Sequence, residues 1–115
     1  MGLDNYLKTE DGELVADCAE ICAELKDLQL TGGLFSGHGD NGSFRGKVYN
    51  NYVEDVTGES LYQERIDWVT LAKMAEAIRA DIKEDGSEHG WDSRHMLAQL
   101  FEVGARHGCH LAGWW

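Results

Sequence analysis

The chain has 115 residues, of which 43% are hydrophobic and 27% charged, and its formal net charge at pH 7 is −11. A chain of this length and hydrophobic content is expected to fold as one domain, residues 1–115, and not to remain disordered. The acidic balance opposes direct binding to nucleic acid, which needs clustered Lys and Arg side chains.

The first third of the chain predicts a strand, a helix and a second strand. Residues 2–8 form the first strand, in which Leu3 and Leu7 share one face. Apolar residues recur at helical spacing over 12–27, with acidic residues opposite them, and predict an amphipathic helix. Its expected core side chains are Leu14, Cys18, Ile21, Cys22 and Leu25. The alternation and the glycines of residues 28–35 predict a strand with a bulge or a close backbone approach.

The middle of the chain predicts a loop and a second helix. The loop covers 37–43, and Ser43 is the expected N-cap of a helix that runs to about Val56. Its expected apolar stripe is Phe44, Val48, Tyr52 and Val56, with Tyr49 and Val53 beside it. Thr57 and Gly58 predict its end. Residues 60–63 show a capping-box pattern, which predicts a short helical turn.

The last half of the chain predicts two longer helices and a strand. Asp67 is the expected N-cap of a helix over 68–84, which buries Leu71, Ala75, Ile78 and Ile82. A polar loop over 86–92 leads to a helix over 93–107, which buries Leu97, Leu100, Phe101 and Gly104. The tail 109–115 is a strand expected to pair with 28–35 or 2–8. These elements predict an α+β fold, about four helices packed on a small, mostly antiparallel sheet of two to three strands.

One window of the chain is poor in acidic residues. Between Leu28 and Val53 the only acid is Asp40, so the window carries +1 and the rest of the chain −12. The same window contains six glycines between 32 and 46. Glycine-rich loops and helix starts expose backbone N–H groups that bind anions. We therefore predict a small anion or phosphate site formed by Gly37, His38, Gly39, Gly42, Ser43, Arg45 and Lys47.

Gly46 fits this hypothesis, because glycine is a poor helix former that lets a ligand approach the backbone. The alternative is a surface loop or hairpin whose glycines only satisfy turn geometry. Residues 37–42 match the dinucleotide pattern G-x-G-x-x-G, but no apolar second strand follows the helix. A phosphate-binding P-loop would need a glycine where Asn41 stands and Ser or Thr where Val48 stands. Neither nucleotide fold is favoured.

Two further chemistries are weaker hypotheses. A small hydrolase or transferase would use His38 as its acid or base, with Asp40, Arg45 and Tyr49, but no motif activates a nucleophile. A metal site would draw on His107, Cys109 and His110, and three ligands from one tight turn rarely converge. We therefore expect no catalytic residues, no metal and no cofactor.

The remaining predictions concern partners and compartment. The terminal pair Trp114 and Trp115 either joins the core or forms an interface with a protein partner or a second copy. The acidic surface also fits a protein-interaction or DNA-mimic role. Three cysteines, an odd number, fit a reducing compartment. No apolar run reaches the roughly 18 residues of a membrane span, and no signal-peptide pattern is present. The favoured function is a cytoplasmic, non-enzymatic module that binds a small anion through residues 37–47.

Overall fold

The computed structural model describes residues 2–31 and 43–115. In chain order they form β1 (Asp4–Lys8), a 3-10 turn (Val15–Asp17), α1 (Ala19–Cys22), β2 (Ser43–Arg45), α2 (Gly46–Thr57), β3 (Arg65–Ile66), α3 (Trp68–Glu84), α4 (Ser93–Arg106) and β4 (His110–Trp114). The predicted α+β class with four helices and an antiparallel sheet is confirmed. Within these ranges the sheet has four strands, not two to three. None of the helices found in them has the length and apolar content to cross a membrane.

The strand order is β2-β1-β4-β3, and every neighbouring pair is antiparallel. The C-terminal strand pairs with residues 4–8 along its whole length, from Asp4 opposite Trp114 to Lys8 opposite His110. One of the two predicted pairings is therefore confirmed. The short strands β2 and β3 were not predicted, because each spans only two or three residues.

Side chains alternate between the two faces of this sheet. The inner face is packed against the helices and carries the buried residues Asn5, Leu7, Phe44, Ile66 and Leu111. The outer face carries Asp4, Tyr6, Lys8, Ser43, Arg45, Arg65, His110, Ala112 and Trp114. On the inner face α4 approaches so closely that a Cβ at Gly104 would lie 2.9 Å from Leu7 Cδ1.

The two long helices begin where the sequence predicts. Asp67 caps α3 by accepting a hydrogen bond from the Thr70 N–H at 2.9 Å. Asp92 caps α4 by accepting from the N–H groups of Arg94 and His95. The predicted buried stripes of both helices are confirmed, with Leu71, Ala75, Ile78, Ile82, Leu97, Leu100, Phe101 and Gly104 all buried.

The predicted helix over 12–27 is wrong. This segment forms the 3-10 turn and the four-residue α1, separated by Cys18 in an extended conformation with φ −107° and ψ 98°. The physical reason lies in tertiary pairing, since Leu14 forms an isolated bridge with Lys8 and cannot begin a helix there. Val15 is buried, whereas Leu14 is only partly buried.

The predicted strand over 28–35 is described only in part, since 32–35 lie outside the described residues. In the described part Leu30 forms a single bridge, and the Thr31 carbonyl accepts from the Arg45 N–H at 2.7 Å. Two smaller predictions in the middle of the chain are wrong. Ser43 belongs to β2, and α2 begins at Gly46 without a side-chain cap. Val48 is consequently 57% exposed. Residues 60–63 form no helical turn.

The residues of α2 that face the core differ from the predicted set. Tyr49 and Val53 are buried, whereas Tyr52 and Val56 are partly buried against the core. The predicted end is confirmed, because Gly58 adopts a left-handed conformation with φ 78°. Its N–H donates to the Glu54 carbonyl at 2.9 Å, which closes the helix.

Candidate functional site

The predicted anion site is only partly described by the structure. Gly37, His38, Gly39 and Gly42 lie outside the described residues, as does Asp40. Ser43 and Arg45 lie on the outer face of β2, the last strand on its side of the sheet in the described residues. The Arg45 N–H donates to the Thr31 carbonyl at 2.7 Å. Lys47 is exposed in the first turn of α2. The Arg45 Nε lies 3.5 Å from Asp4 Oδ1, and both side chains are about half exposed.

Gly46 has a structural role that the sequence did not indicate. A Cβ at this position would lie 1.7 Å from Asn5 Oδ1 and 2.9 Å from Leu3 Cδ2. The amide of Asn5 is fixed there, since its Nδ2 donates to the Leu61 carbonyl at 3.1 Å. The expectation that Gly46 admits a ligand to the backbone is therefore wrong, because the Asn5 side chain fills that space.

Three residues of the catalytic and metal hypotheses, Tyr49, His107 and Cys109, are engaged with or buried among other parts of the fold. The Tyr49 hydroxyl accepts from the Thr31 N–H at 2.7 Å and donates to Thr31 Oγ1 at 3.0 Å. His107 Nε2 is hydrogen-bonded to Glu24 Oε2. Cys109 is buried, and burial raises the pKa of its thiol. No group of three or more metal-ligating side chains occurs in the parts of the chain that the structure describes.

A groove of about 540 Å³ lies on the outer face of the sheet, over β1 and β4. It is lined by Tyr6, Lys8, Gly12, Leu14, Glu64, Ala112, Gly113 and Trp114. One wall is the turn over 9–14, which is closed by a hydrogen bond from the Thr9 N–H to the Glu13 carbonyl at 2.8 Å. Its volume falls in the range of small-molecule sites, about 300–1,000 Å³.

The charges of the outer face differ from those of the whole chain. Its nine strand residues include three basic side chains and one acidic side chain, whereas the chain has 21 acids and 10 bases. Arg45 is paired with Asp4. Lys8 and Arg65 form no salt bridge within residues 2–31 and 43–115, and the nearby Asp67 uses its carboxylate to cap α3. These two cations of the face have no salt bridge among the described residues, although the charge of Arg65 contributes to the lowered pKa of Asp67.

His110 lies in the same row of the sheet as Lys8. Its residue surface is only 7% exposed, and its Nδ1 has no hydrogen-bond partner among the described residues. Burial lowers the pKa of His110, and the charges of Arg65 and Lys8 lower it further. The imidazole therefore lies within the electrostatic reach of both cations.

Two aromatic side chains, Tyr6 and Trp114, line the end of the groove that lies away from Lys8. Tyr6 lies directly opposite Ala112, and Trp114 lies opposite Asp4, so the two aromatic residues are diagonal neighbours on one face. Trp114 is 72% exposed. Its neighbour Trp115 packs edge-on against Tyr62, with ring centroids 5.7 Å apart. One expectation for the terminal pair is that it joins the core or docks with the tail. The tail docks through β4 and through the contact of Trp115 with Tyr62, but both tryptophans are exposed and lie outside the core.

Sequence reasoning missed this groove for a definite reason. Its floor forms only when β1 pairs with β4. One of its walls is the turn over 9–14, part of which was predicted to belong to a helix. The alternation of Tyr6 and Lys8 with Leu7 was a visible signal, but the strand alone does not show which face stays open.

Comparison of the chain with family models, with curated proteins and with solved structures finds no match in any of the three.

Proposed function

We propose that the protein is a non-enzymatic binding module that holds a small anionic ligand in the groove on the outer face of its sheet. The observation that carries this proposal is the pair Lys8 and Arg65. Both cations lack a described salt-bridge partner in a chain with twice as many acids as bases. Lys26, Lys47, Lys73 and Lys83 also lack a salt bridge among the described residues, so the argument rests on position. Lys8 lines the groove and Arg65 stands on the same face of the sheet, which favours an external anion there.

The chemistry of the two side chains suits anion binding. Arg65 offers a planar fork of N–H donors that can hold a carboxylate or phosphate through two hydrogen bonds. Lys8 lines the groove itself and adds a compact positive charge. An anion between them would also offset the repulsion of two like charges around the largely buried His110.

The glycine-rich loop over 37–47 remains part of the proposal. Of its described residues, Ser43 and Arg45 lie on the same outer face as the groove, in β2. A hydrolase or transferase centred on His38 has less support, because Tyr49 and Arg45 are engaged with Thr31 and Asp4.

A second function is favoured by the exposure of Trp114 and Trp115. Exposed tryptophans are enriched at protein interfaces, so a protein partner or a second copy of the chain could bind there. Sedimentation of the wild type and of a Trp114→Ala, Trp115→Ala variant tests this function. It fails for a second copy if both sediment as monomers at high concentration. We place either function in the cytoplasm, in keeping with Cys18, Cys22 and Cys109, which are all free thiols.

The proposed anion binding is tested by thermal unfolding with inorganic phosphate, pyrophosphate and citrate. An anion at 100 times its Kd stabilises the folded state by about 2.7 kcal/mol, a shift of several degrees. We expect this shift in the wild type and in a Lys83→Ala control on the exposed end of α3, and its loss in Lys8→Ala, Arg65→Ala. Loss in Arg45→Ala, Lys47→Ala instead would place the anion at the loop. If no anion shifts the transition, the proposal is wrong.

A further inference from the structure

The groove has two chemically different ends, and this difference defines its ligand more closely. We infer that the ligand carries a flat aromatic ring, held between Tyr6 and Trp114, and an anionic group that reaches Lys8 and Arg65. This inference rests on the proposed function and adds a ring to the anion. Its basis is the register of the sheet together with the placement of the charged residues around the groove.

The aromatic end has the spacing of a stacking site. Diagonal neighbours on adjacent antiparallel strands are about 7–8 Å apart, and Tyr6 and Trp114 are such a pair. A flat ring that stacks on both sides needs about 3.5–4.0 Å to each neighbour. Ala112, directly opposite Tyr6, is small and leaves the space over the floor open. One ring therefore fits between the two side chains.

The charges give the ligand a direction. Glu64 lies at the Trp114 end, where it also lines a smaller depression beside Trp114 and Trp115. Lys8 lies at the other end, two residues along β1 from Tyr6, or roughly 7 Å at the usual rise of a strand. Arg65 stands between the two ends, opposite Ala112 and in the same row as Tyr6. A ligand with its anionic group at Lys8 avoids the Glu64 carboxylate. The ring and the anion are thus separated by a distance that a sugar-sized linker spans.

His110 stands opposite Lys8, in the row where the anionic group is expected. The residue is only 7% exposed, and Nδ1 lacks a hydrogen-bond partner in the described part of the chain. His110 is not among the residues that line the groove, so it marks the row of Lys8 and is not a contact of the ligand.

The negative net charge of the chain favours a small anionic ligand over a nucleic acid strand. A nucleic acid strand would carry several phosphates past the acidic surface, including the exposed Glu10, Asp11 and Glu13 of the wall turn. A ligand with one anionic group meets fewer of these carboxylates. A nucleoside monophosphate has the three parts that the groove requires, namely a flat ring, a sugar-sized linker and an anion.

Three related probes separate the ring from the anion. Calorimetric titration is carried out with AMP, with ribose 5-phosphate, which lacks the ring, and with adenosine, which lacks the anion. Stacking of a base on aromatic side chains contributes about 1–3 kcal/mol. AMP is therefore expected to bind about tenfold or more tightly than ribose 5-phosphate. Adenosine is expected to bind more weakly than AMP, because it leaves Lys8 and Arg65 unneutralised.

Matched variants locate the effect. In Trp114→Ala and in Tyr6→Leu, the affinity for AMP is expected to fall by about tenfold, toward that of ribose 5-phosphate. Trp91→Ala is the control, because Trp91 is also an exposed tryptophan but lies far from the groove in the loop before α4. It is expected to bind AMP as the wild type does.

The outcomes distinguish the inference from the proposed function. If AMP and ribose 5-phosphate bind equally to the wild type, the ring is not recognised and this inference is overturned, while anion binding stands. If adenosine binds as tightly as AMP, the anionic end is overturned. Should none of the phosphate compounds bind, the proposed function fails together with the inference. A wild-type dimer that Trp114→Ala converts to a monomer would assign the groove to a second copy and overturn both.

Discussion

The two faces of the sheet differ in what they leave open. On the inner face the chain approaches itself so closely that a Cβ at Gly113 would lie 2.5 Å from the Gln63 carbonyl oxygen. On the outer face the same two central strands border a groove of about 540 Å³. Neighbouring residues of one strand therefore have different roles. Substitutions on the inner face should change stability, and those on the outer face should change binding.

The cations of the protein also differ in their partners, between the helix ends and the outer face of the sheet. Arg94, at the start of α4, is surrounded by the carboxylates of Asp81, Asp85 and Asp92. The Tyr52 hydroxyl donates to Asp81 at 2.7 Å, and burial followed by this hydrogen bond raises the pKa of Tyr52. This cluster joins α2, α3 and α4. Arg94 at a helix end thus contributes to the fold, whereas Lys8 and Arg65 on the outer face form no salt bridge among the described residues.

The largest expected loss of stability is that of Leu7→Ala, which is compared with Tyr6→Ala at the adjacent position of β1. Leu7 is only 2% exposed on the inner face, so Leu7→Ala should lower the free energy of unfolding by about 2–5 kcal/mol. Tyr6 lies on the outer face, and Tyr6→Ala should lower it by less than about 1 kcal/mol. Urea denaturation measures both values. Equal losses at the two positions would show that the outer face is also part of the core.

A second prediction concerns the close approach on the inner face. In a helix Gly46→Ala would gain about 1 kcal/mol in propensity, but the new Cβ meets Asn5 Oδ1 at 1.7 Å. The steric cost should prevail and lower the free energy of unfolding by about 1–3 kcal/mol. An Asn5→Ala background removes the clash, so the same change should cost much less there. A double-mutant cycle that shows no coupling would contradict this account.

The long helices could be predicted because local signals and tertiary packing agree in them. Asp67 begins α3, and the residues spaced by three and four face the core as expected. In residues 12–27 these signals conflict. The apolar spacing is helical, but pairing of Leu14 with Lys8 holds the backbone extended and ends the pattern. A single bridge of this kind between nearby residues leaves no periodic trace in the sequence.

The candidate site was less predictable than the fold. Arg45 was identified from the scarcity of acids around it, yet its partner Asp4 is far away in the chain. Lys8, Arg65 and Trp114 come from three separate segments and meet only through the strand order β1-β4-β3. A sequence pattern can indicate that a residue is unusual in its own neighbourhood. It cannot show which distant residues share a face of a sheet.

A third prediction tests the helix-end cluster through its pH dependence. Burial raises the pKa of Asp92, but hydrogen bonds from Arg94 and His95 outweigh it and hold this pKa well below its usual range. Asp92→Ala should lower the free energy of unfolding at pH 7 by about 0.5–2 kcal/mol, the usual loss of an N-cap. Because the folded-state pKa is depressed, this contribution is complete above the unfolded value of about 3.9 and disappears as the pH falls toward the folded value.

The measurement for Asp92 is urea denaturation between pH 7 and pH 2. The difference between the wild type and Asp92→Ala should shrink as the pH falls below about 4. Asp27→Ala serves as the control, since it removes an exposed carboxylate that caps no helix. A difference that stays constant down to pH 2 would mean that Asp92 acts through packing and not through its charge.

The smallest expected effect on stability is that of Arg45→Ala, which removes a cation of the outer face that is paired with Asp4. Arg45 and Asp4 are both about half exposed and 3.5 Å apart, so Arg45→Ala should change the free energy of unfolding by less than about 0.5 kcal/mol. Arg79→Ala is the matched comparison, because Arg79 donates two hydrogen bonds to Glu102 at 2.9 and 2.8 Å and should cost more.

Arg45→Ala should also have a weak effect on the groove. It leaves Asp4 unneutralised opposite Trp114, at the end away from Lys8, where a ring and not an anion is expected. Phosphate affinity should therefore fall far less than in Lys8→Ala, and calorimetry in low and high salt measures both variants. If Arg45→Ala instead weakens phosphate binding as strongly as Lys8→Ala, the pair with Asp4 opens when the anion binds. All three cations of the outer face would then belong to one site that extends toward the glycine-rich loop.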